Sequence, residues 1–142
     1  MPLHPLKRVE DRLRDLAQLV DYGLYLLLNP FKFKRFPKNI RRIAVVETLE
    51  LGDLLAATPV FRALRHRYPS ATLDVLVQPH TALLLAGNTS VDHVIPFTSF
   101  SETLSHLKKS TYDLGILLHP ASLSMGLLLL RAGVSYRIGA TK

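Results

Sequence analysis

From Ile43 onward the sequence alternates short, β-branched apolar runs with helical stretches, and this alternation restricts the fold more than any other feature. Five runs read as strands: Ile43 to Val46, Thr72 to Val77, His93 to Phe97, Asp113 to Leu118 and Ser135 to Ile138. Thr58-Pro59 reads as an N-cap and first helical position, starting a helix that runs to Arg67. Asp53 to Ala57 reads as a preceding turn of the same helix, kinked at Pro59. Further helices are predicted over His80 to Ala86, closed by Gly87-Asn88, and over Ser101 to Lys109, capped by Ser99 or Ser101. A last, apolar helix runs from Ala121 to Ala132 and closes at Gly133. Strands separated by helices imply right-handed crossovers and a parallel sheet. The expected fold is therefore α/β, a Rossmann-like parallel sheet over residues 43–142, preceded by an arm over residues 1–42.

Composition supports a packed domain. The chain has 142 residues, 48% of them hydrophobic and 20% charged, enough to bury a core and too apolar for disorder. No apolar run approaches the roughly 20 residues of a membrane span. Glu10, Asp11 and Asp15 interrupt the place where a secretory signal would carry its apolar region. With no cysteine there are no disulfides and no cysteine-metal sites, which is compatible with a cytoplasmic protein. The six histidines form no close metal-ligand pair.

The formal charge of +7 is unevenly spread. Residues 1–42 carry ten Lys/Arg against four Asp/Glu, whereas residues 43–142 carry eight against seven. The body is thus not built to grip nucleic acid, and the arm is suited to meet something anionic. Within the arm, Val9, Leu13, Leu16, Ala17, Val20, Leu24, Leu27 and Leu28 form a helical stripe that Asn29-Pro30 stops. Phe31-Lys32-Phe33-Lys34-Arg35-Phe36-Pro37-Lys38 then interleaves aromatics with cations. Two readings stand. The arm lies on an anionic membrane surface, with rings at headgroup level, or it packs on protein and ends in a solvated basic linker.

The stretch from Ile43 to Pro59 is the candidate site. In an open α/β sheet, ligands sit outside the carboxyl ends of the strands, where the first strand feeds a turn carrying Glu47, Glu50, Gly52 and Asp53. Gly52 is expected to permit a tight turn, leaving Asp53 at the mouth of the crevice. Asp53 reads either as a catalytic carboxylate or as a helix-capping one. Several common motifs are missing. There is no G-x-G-x-x-G after the first strand, no P-loop and no G-x-S-x-G elbow.

Residues 42–139 carry a series of segments in order. These are Leu51-Gly52-Asp53-Leu54-Leu55, Thr58-Pro59, Arg62-Ala63-Leu64-Arg65 with Tyr68-Pro69, Leu73-Asp74-Val75-Leu76-Val77, Gly87-Asn88 through Val91-Asp92-His93-Val94-Ile95, Tyr112-Asp113-Leu114 with Leu118-His119, and Arg137-Ile138-Gly139. In this the sequence resembles the N-terminal domain of glycosyltransferase family 9, the ADP-heptose:lipopolysaccharide heptosyltransferases. The resemblance implies a GT-B architecture in which this domain binds the acceptor and a second domain binds the ADP-sugar. It implies that Asp53 is the general base on the acceptor hydroxyl, with Gly52, Thr48, Glu50, His119 and Ser122 binding the acceptor. His119 reads equally as a histidine bonded to a loop carbonyl, and Ser122 and Ser124 as caps of the next helix. No cofactor is implied beyond the ADP-sugar itself. The implied setting is the cytoplasmic face of the inner membrane, with a glycolipid acceptor.

The sequence also departs from that pattern. Glu47 and Glu50 stand where the family carries neutral or basic polar residues, and carboxylates beside Asp53 would repel an anionic acceptor. No Lys or Arg occurs between Ser110 and Leu130, and Leu117 replaces a frequent aspartate. Only three residues follow Gly139, so the nucleotide-sugar domain is expected to be missing and the chain inactive alone. The competing expectation is a non-catalytic module that docks on a membrane or a partner through its arm.

Overall fold

The computed structural model describes Val20, Gly23, Phe36, Pro37, residues 39–118 and residues 123–139. The chain divides into two compact units, Met1–Phe33 and Lys34–Lys142. In the first, Val20 and Gly23 are both helical; the remainder of the predicted amphipathic helix lies outside the described residues, as does most of the aromatic-basic run.

The second unit carries β1 (Arg42–Glu47), α1 (Leu51–Arg67), β2 (Thr72–Val77), a 3₁₀ helix (Pro79–Leu85), β3 (His93–Pro96), α2 (Phe100–Lys108), β4 (Leu114–Leu117), α3 (Leu123–Arg131) and β5 (Tyr136–Gly139). The strands form one sheet in the order β3-β2-β1-β4-β5, with every neighbouring pair parallel. The expected α/β, Rossmann-like sheet is what the chain adopts. Strand order reverses at β1, so the crevice between the ends of β1 and β4 is the switch point where such sheets bind ligands.

Successive side chains of a strand face opposite sides, and here both sides are covered. Ile43, Val45, Leu73 and Val75 pack with Leu54, Ala57 and Phe61 of α1. Ala44, Val46 and Leu76 pack on the other face with Leu107 of α2 and with Leu128 and Leu129 of α3. Gly115 in β4 permits this second layer to close tightly. A Cβ there would stand 2.9 Å from Leu129 Cδ1 and 3.1 Å from Val134 Cγ1.

The expected helix start at Thr58-Pro59 is corrected by the structure, whereas the reading of Asp53 to Ala57 as part of the same helix holds. A single helix begins at Leu51, with Glu50 as N-cap, and Pro59 lies inside it. A proline there removes the N–H that would have bonded the Leu55 carbonyl. Thr58 supplies the substitute, its hydroxyl donating to Leu55 O at 2.8 Å. Thr58-Pro59 is thus a repaired helix interior rather than a beginning. Of the two candidate caps for α2, Ser99 is the one used, its Oγ accepting from the Glu102 N–H. Gly133, at φ +77°, closes α3 as expected.

At the amino ends of β1 to β3, on the α2/α3 face, the Asp74 carboxylate is 2% exposed and fully partnered. Arg42 Nε donates to its Oδ2 at 3.1 Å, the Tyr112 hydroxyl donates to the same oxygen at 2.7 Å, and His93 Nδ1 meets Oδ1 at 2.7 Å. Burial, then the bond to Asp74, pushes the Tyr112 phenol well above its usual range. Asp92 fastens the start of β2: it accepts from the Leu73 N–H at 2.6 Å and pairs with Arg65.

Candidate active site at the carboxyl ends of the strands

β1 ends at Glu47, and a three-residue turn, 48–50, leads into α1. Two side chains fix that turn. The Leu49 N–H donates to Glu47 Oε1 at 3.3 Å, and Gln78 Nε2, just beyond the end of β2, donates to the Thr48 carbonyl at 2.9 Å. Glu47 is 4% exposed. It is therefore not the crevice-facing carboxylate expected from sequence, but a buried group folded back on the turn it precedes.

Asp53 is the third residue of α1. It is exposed, and its carboxylate makes no hydrogen bond or ion pair to another described residue. The helix N-terminus around it has no side-chain cap, so the capping role that competed with catalysis is not filled by Asp53. Gly52 is helical and does not make the turn, in contrast to the expectation from sequence. A Cβ at Gly52 would meet nothing within 4 Å, so the space beside Asp53 is open. What the glycine provides is access, not curvature.

Glu50 is fully solvent-facing, and His80 Nε2 approaches its Oε2 at 3.6 Å from the start of the 3₁₀ helix. The structure thus brings Thr48, Glu50, Gly52 and Asp53 together at one strand end. His119 and Ser122, the other residues implied by resemblance, lie outside the described residues. Gln78 and His80 were not singled out for this site from sequence. Their signal was positional: Gln78-Pro79 directly follows β2, whose carboxyl end must neighbour that of β1 in a parallel sheet. Leu51, Leu55 and Leu83 add an exposed apolar rim on α1 and the 3₁₀ helix.

Chemically, the arrangement offers an exposed carboxylate, unpaired among the described residues, on a helix at a strand end. It suits taking a proton from a bound hydroxyl. Among the described residues, no group of three or more His, Asp or Glu side chains could hold a metal ion. A separate cleft of about 580 Å³ is lined by Arg42, Asp74, His93 and His106, among others. It opens along β3 and α2, on the sheet face opposite α1, and belongs to the Asp74 network rather than to Asp53.

No protein-family model matches the chain. A Haemophilus influenzae protein named "Putative glycosyltransferase" is 30% identical over 110 residues, which cover 72% of this chain and 32% of that protein. Among solved structures, a family 9 glycosyl transferase from Veillonella parvula superimposes with a TM-score of 0.61 at 20% identity, covering 76% of this chain and 34% of that one. The ADP-heptose LPS heptosyltransferase II of E. coli superimposes with a TM-score of 0.59 at 26% identity, covering 70% of this chain and 30% of that one. The chain therefore spans about a third of the length of the proteins it matches. Over that third, the resemblance to glycosyltransferase family 9 that the sequence segments carry holds in both sequence and fold.

Proposed function

We propose that this chain is the acceptor half of a heptosyltransferase-type glycosyltransferase, with Asp53 as general base. The observation that carries the reading is the exposed Asp53 carboxylate in the first turn of α1, unpaired among the described residues, beside the open space at Gly52. In the reaction, the acceptor hydroxyl oxygen attacks the anomeric carbon of an ADP-sugar while Asp53 takes its proton. The bond from the anomeric carbon to the diphosphate oxygen breaks, ADP leaves with the electron pair, and the configuration inverts. A sugar hydroxyl is a poor nucleophile, and a positioned carboxylate contributes roughly 10²–10⁴-fold. No covalent intermediate is needed, so one carboxylate suffices. Gly52, Thr48, Glu50, His119 and Ser122 are assigned to the acceptor, and the ADP-sugar to a second domain facing this crevice. The protein works at the cytoplasmic face of the inner membrane on a glycolipid, with the basic arm on the lipid surface.

In protein carrying both halves, Asp53→Asn is expected to lower turnover by at least about 10²-fold, with an unchanged circular dichroism spectrum. Transfer within a few-fold of the unsubstituted protein would overturn the assignment. The second reading, a docking module without catalysis, draws on the ten Lys/Arg of residues 1–42. It predicts no sugar transfer by either protein.

A further inference from the structure

We infer that Gln78 is a positioning residue for Asp53: its side-chain amide ties the turn that leads to this carboxylate onto the end of the neighbouring strand. The inference rests on the general-base reading above and adds to that reaction a residue from a second strand connection. Register sets up the contact. Glu47 and Val77 pair at the carboxyl ends of β1 and β2, so Thr48 and Gln78 are the residues that follow on two adjacent parallel strands. Gln78 precedes Pro79, and the proline ring keeps such a residue out of helical geometry. Gln78 accordingly stands at φ −65° and ψ 145°, extended, as N-cap of the 3₁₀ helix. Its carbonyl is held as well. The Thr81 N–H and the Thr81 hydroxyl donate to it at 3.1 and 3.0 Å, and Thr81 is completely buried. From that fixed backbone the half-buried side chain reaches across, and Nε2 donates to the Thr48 carbonyl at 2.9 Å.

The effect on Asp53 runs through the backbone. Residues 48–50 separate β1 from α1, and α1 opens on the Glu50 carbonyl, which accepts the Asp53 N–H at 3.1 Å and the Leu54 N–H at 3.2 Å. No side chain among the described residues caps this end of the helix. The place of the first turn is therefore set by the segment that feeds it. Glu47 and Gln78 both bond that segment, but in different ways. The Glu47 bond is 3.3 Å long and spans two residues, so it shapes the turn from within. The Gln78 bond is shorter and comes from another strand, 30 residues away, so it fixes where the turn sits. His80, two residues further on, approaches Glu50 at 3.6 Å from the same side. A general base has to lie within hydrogen-bond reach of the proton it takes, and a misplacement of about 1 Å can cost about 10²-fold in rate. A residue that holds the start of α1 in place thus acts on the rate through Asp53, without touching the acceptor itself.

Two substitutions test this. Gln78→Met keeps the length of the side chain and removes the donor, and Gln78→Glu keeps its shape while presenting a carboxylate to the Thr48 carbonyl. In the 142-residue chain, both are expected to speed amide hydrogen exchange at Asp53 and Leu54 by at least about tenfold, while exchange along β4 stays within about twofold. In protein carrying both halves, both are expected to lower kcat by at least about tenfold and to leave the KM for the ADP-sugar within about twofold. The double variant supplies the readout that a merely structural role would not give. With Asp53→Asn already present, Gln78→Met should change kcat by less than about twofold, because a residue that acts through Asp53 then has nothing left to position. A full tenfold loss in that background overturns the inference. So does an unchanged kcat in the single variants, or unchanged exchange at Asp53 and Leu54. Full transfer by Asp53→Asn, with exchange raised in the Gln78 variants, would remove the general-base assignment and leave the tie between Gln78 and the turn standing.

Discussion

Asp74 shows how much a single residue of this fold carries out of sight of the crevice. Its neighbours in sequence, Leu73 and Val75, are buried against α1, while Asp74 faces the opposite side of the sheet and is just as buried. A carboxylate in that position must be paired and hydrogen-bonded to be tolerated. Arg42, His93 and Tyr112 meet that demand from three other segments of the chain. Asp74→Ala removes the shared acceptor and leaves the Arg42 charge and the Tyr112 hydroxyl without their partner. The expected cost is about 3–5 kcal/mol of stability, read from the urea midpoint. A loss below about 1 kcal/mol, the worth of a surface pair, would show that the network is not a buried one. In the sequence Asp74 stood out only as part of the Leu73-Asp74-Val75 segment, because its partners lie 19 to 38 residues away. One clue was there to be read. A lone charge amid the apolar residues of a two-sided strand has to be paired with something.

Among the elements, strands were the more readable. Each needed only a short apolar run, and the run from Thr72 to Val77 matches β2 from end to end. Helix starts depend on single hydrogen bonds, which residue type alone does not settle. Thr58-Pro59 has the composition of a beginning, yet the Thr58 hydroxyl repairs the bond that Pro59 removes and the helix runs through. The same limit hid the role of Gly52, whose value lies in the empty space beside it and not in its backbone angles. The cap of α2 was narrowed to two serines, and geometry chose Ser99. Ser99→Ala should cost about 1 kcal/mol of stability, whereas Ser101→Ala, at an exposed first-turn position, should cost far less. Thermal melts of the two variants check this, and equal melting temperatures would remove the cap assignment. Thr98 adds a second tie, its hydroxyl donating to Glu102 at 2.7 Å, so Ser99→Ala should not unravel the whole first turn.

Along the whole sequence, most of the positive charge lies apart from the candidate chemistry. The carboxyl ends of the strands are acidic and apolar, and the positive charge is concentrated in residues 1–42. Some of that charge is committed to the fold: Arg42 is tied to Asp74 and lies over the Tyr112 ring. Lys32, Lys34, Arg35 and Lys38 fall in the run where phenylalanines alternate with cations. We propose that this run meets an anionic lipid surface, because each Lys or Arg near such a surface contributes about 1 kcal/mol and aromatic rings settle at headgroup level. The proposal fits a glycolipid acceptor, whose sugar would reach the crevice from the lipid surface. No helix among the described residues is long and apolar enough to cross a membrane, so attachment would rest on the arm's charge and rings. Sedimentation with vesicles containing anionic lipid is expected to show binding that weakens steeply between low and physiological salt. Changing Lys32, Lys34, Arg35 and Lys38 to Gln should reduce that binding by about 10³-fold, four contributions of roughly 1 kcal/mol each. Equal binding to neutral and anionic vesicles would show that charge is not what holds the arm, and would leave the alternative of an arm that docks on protein.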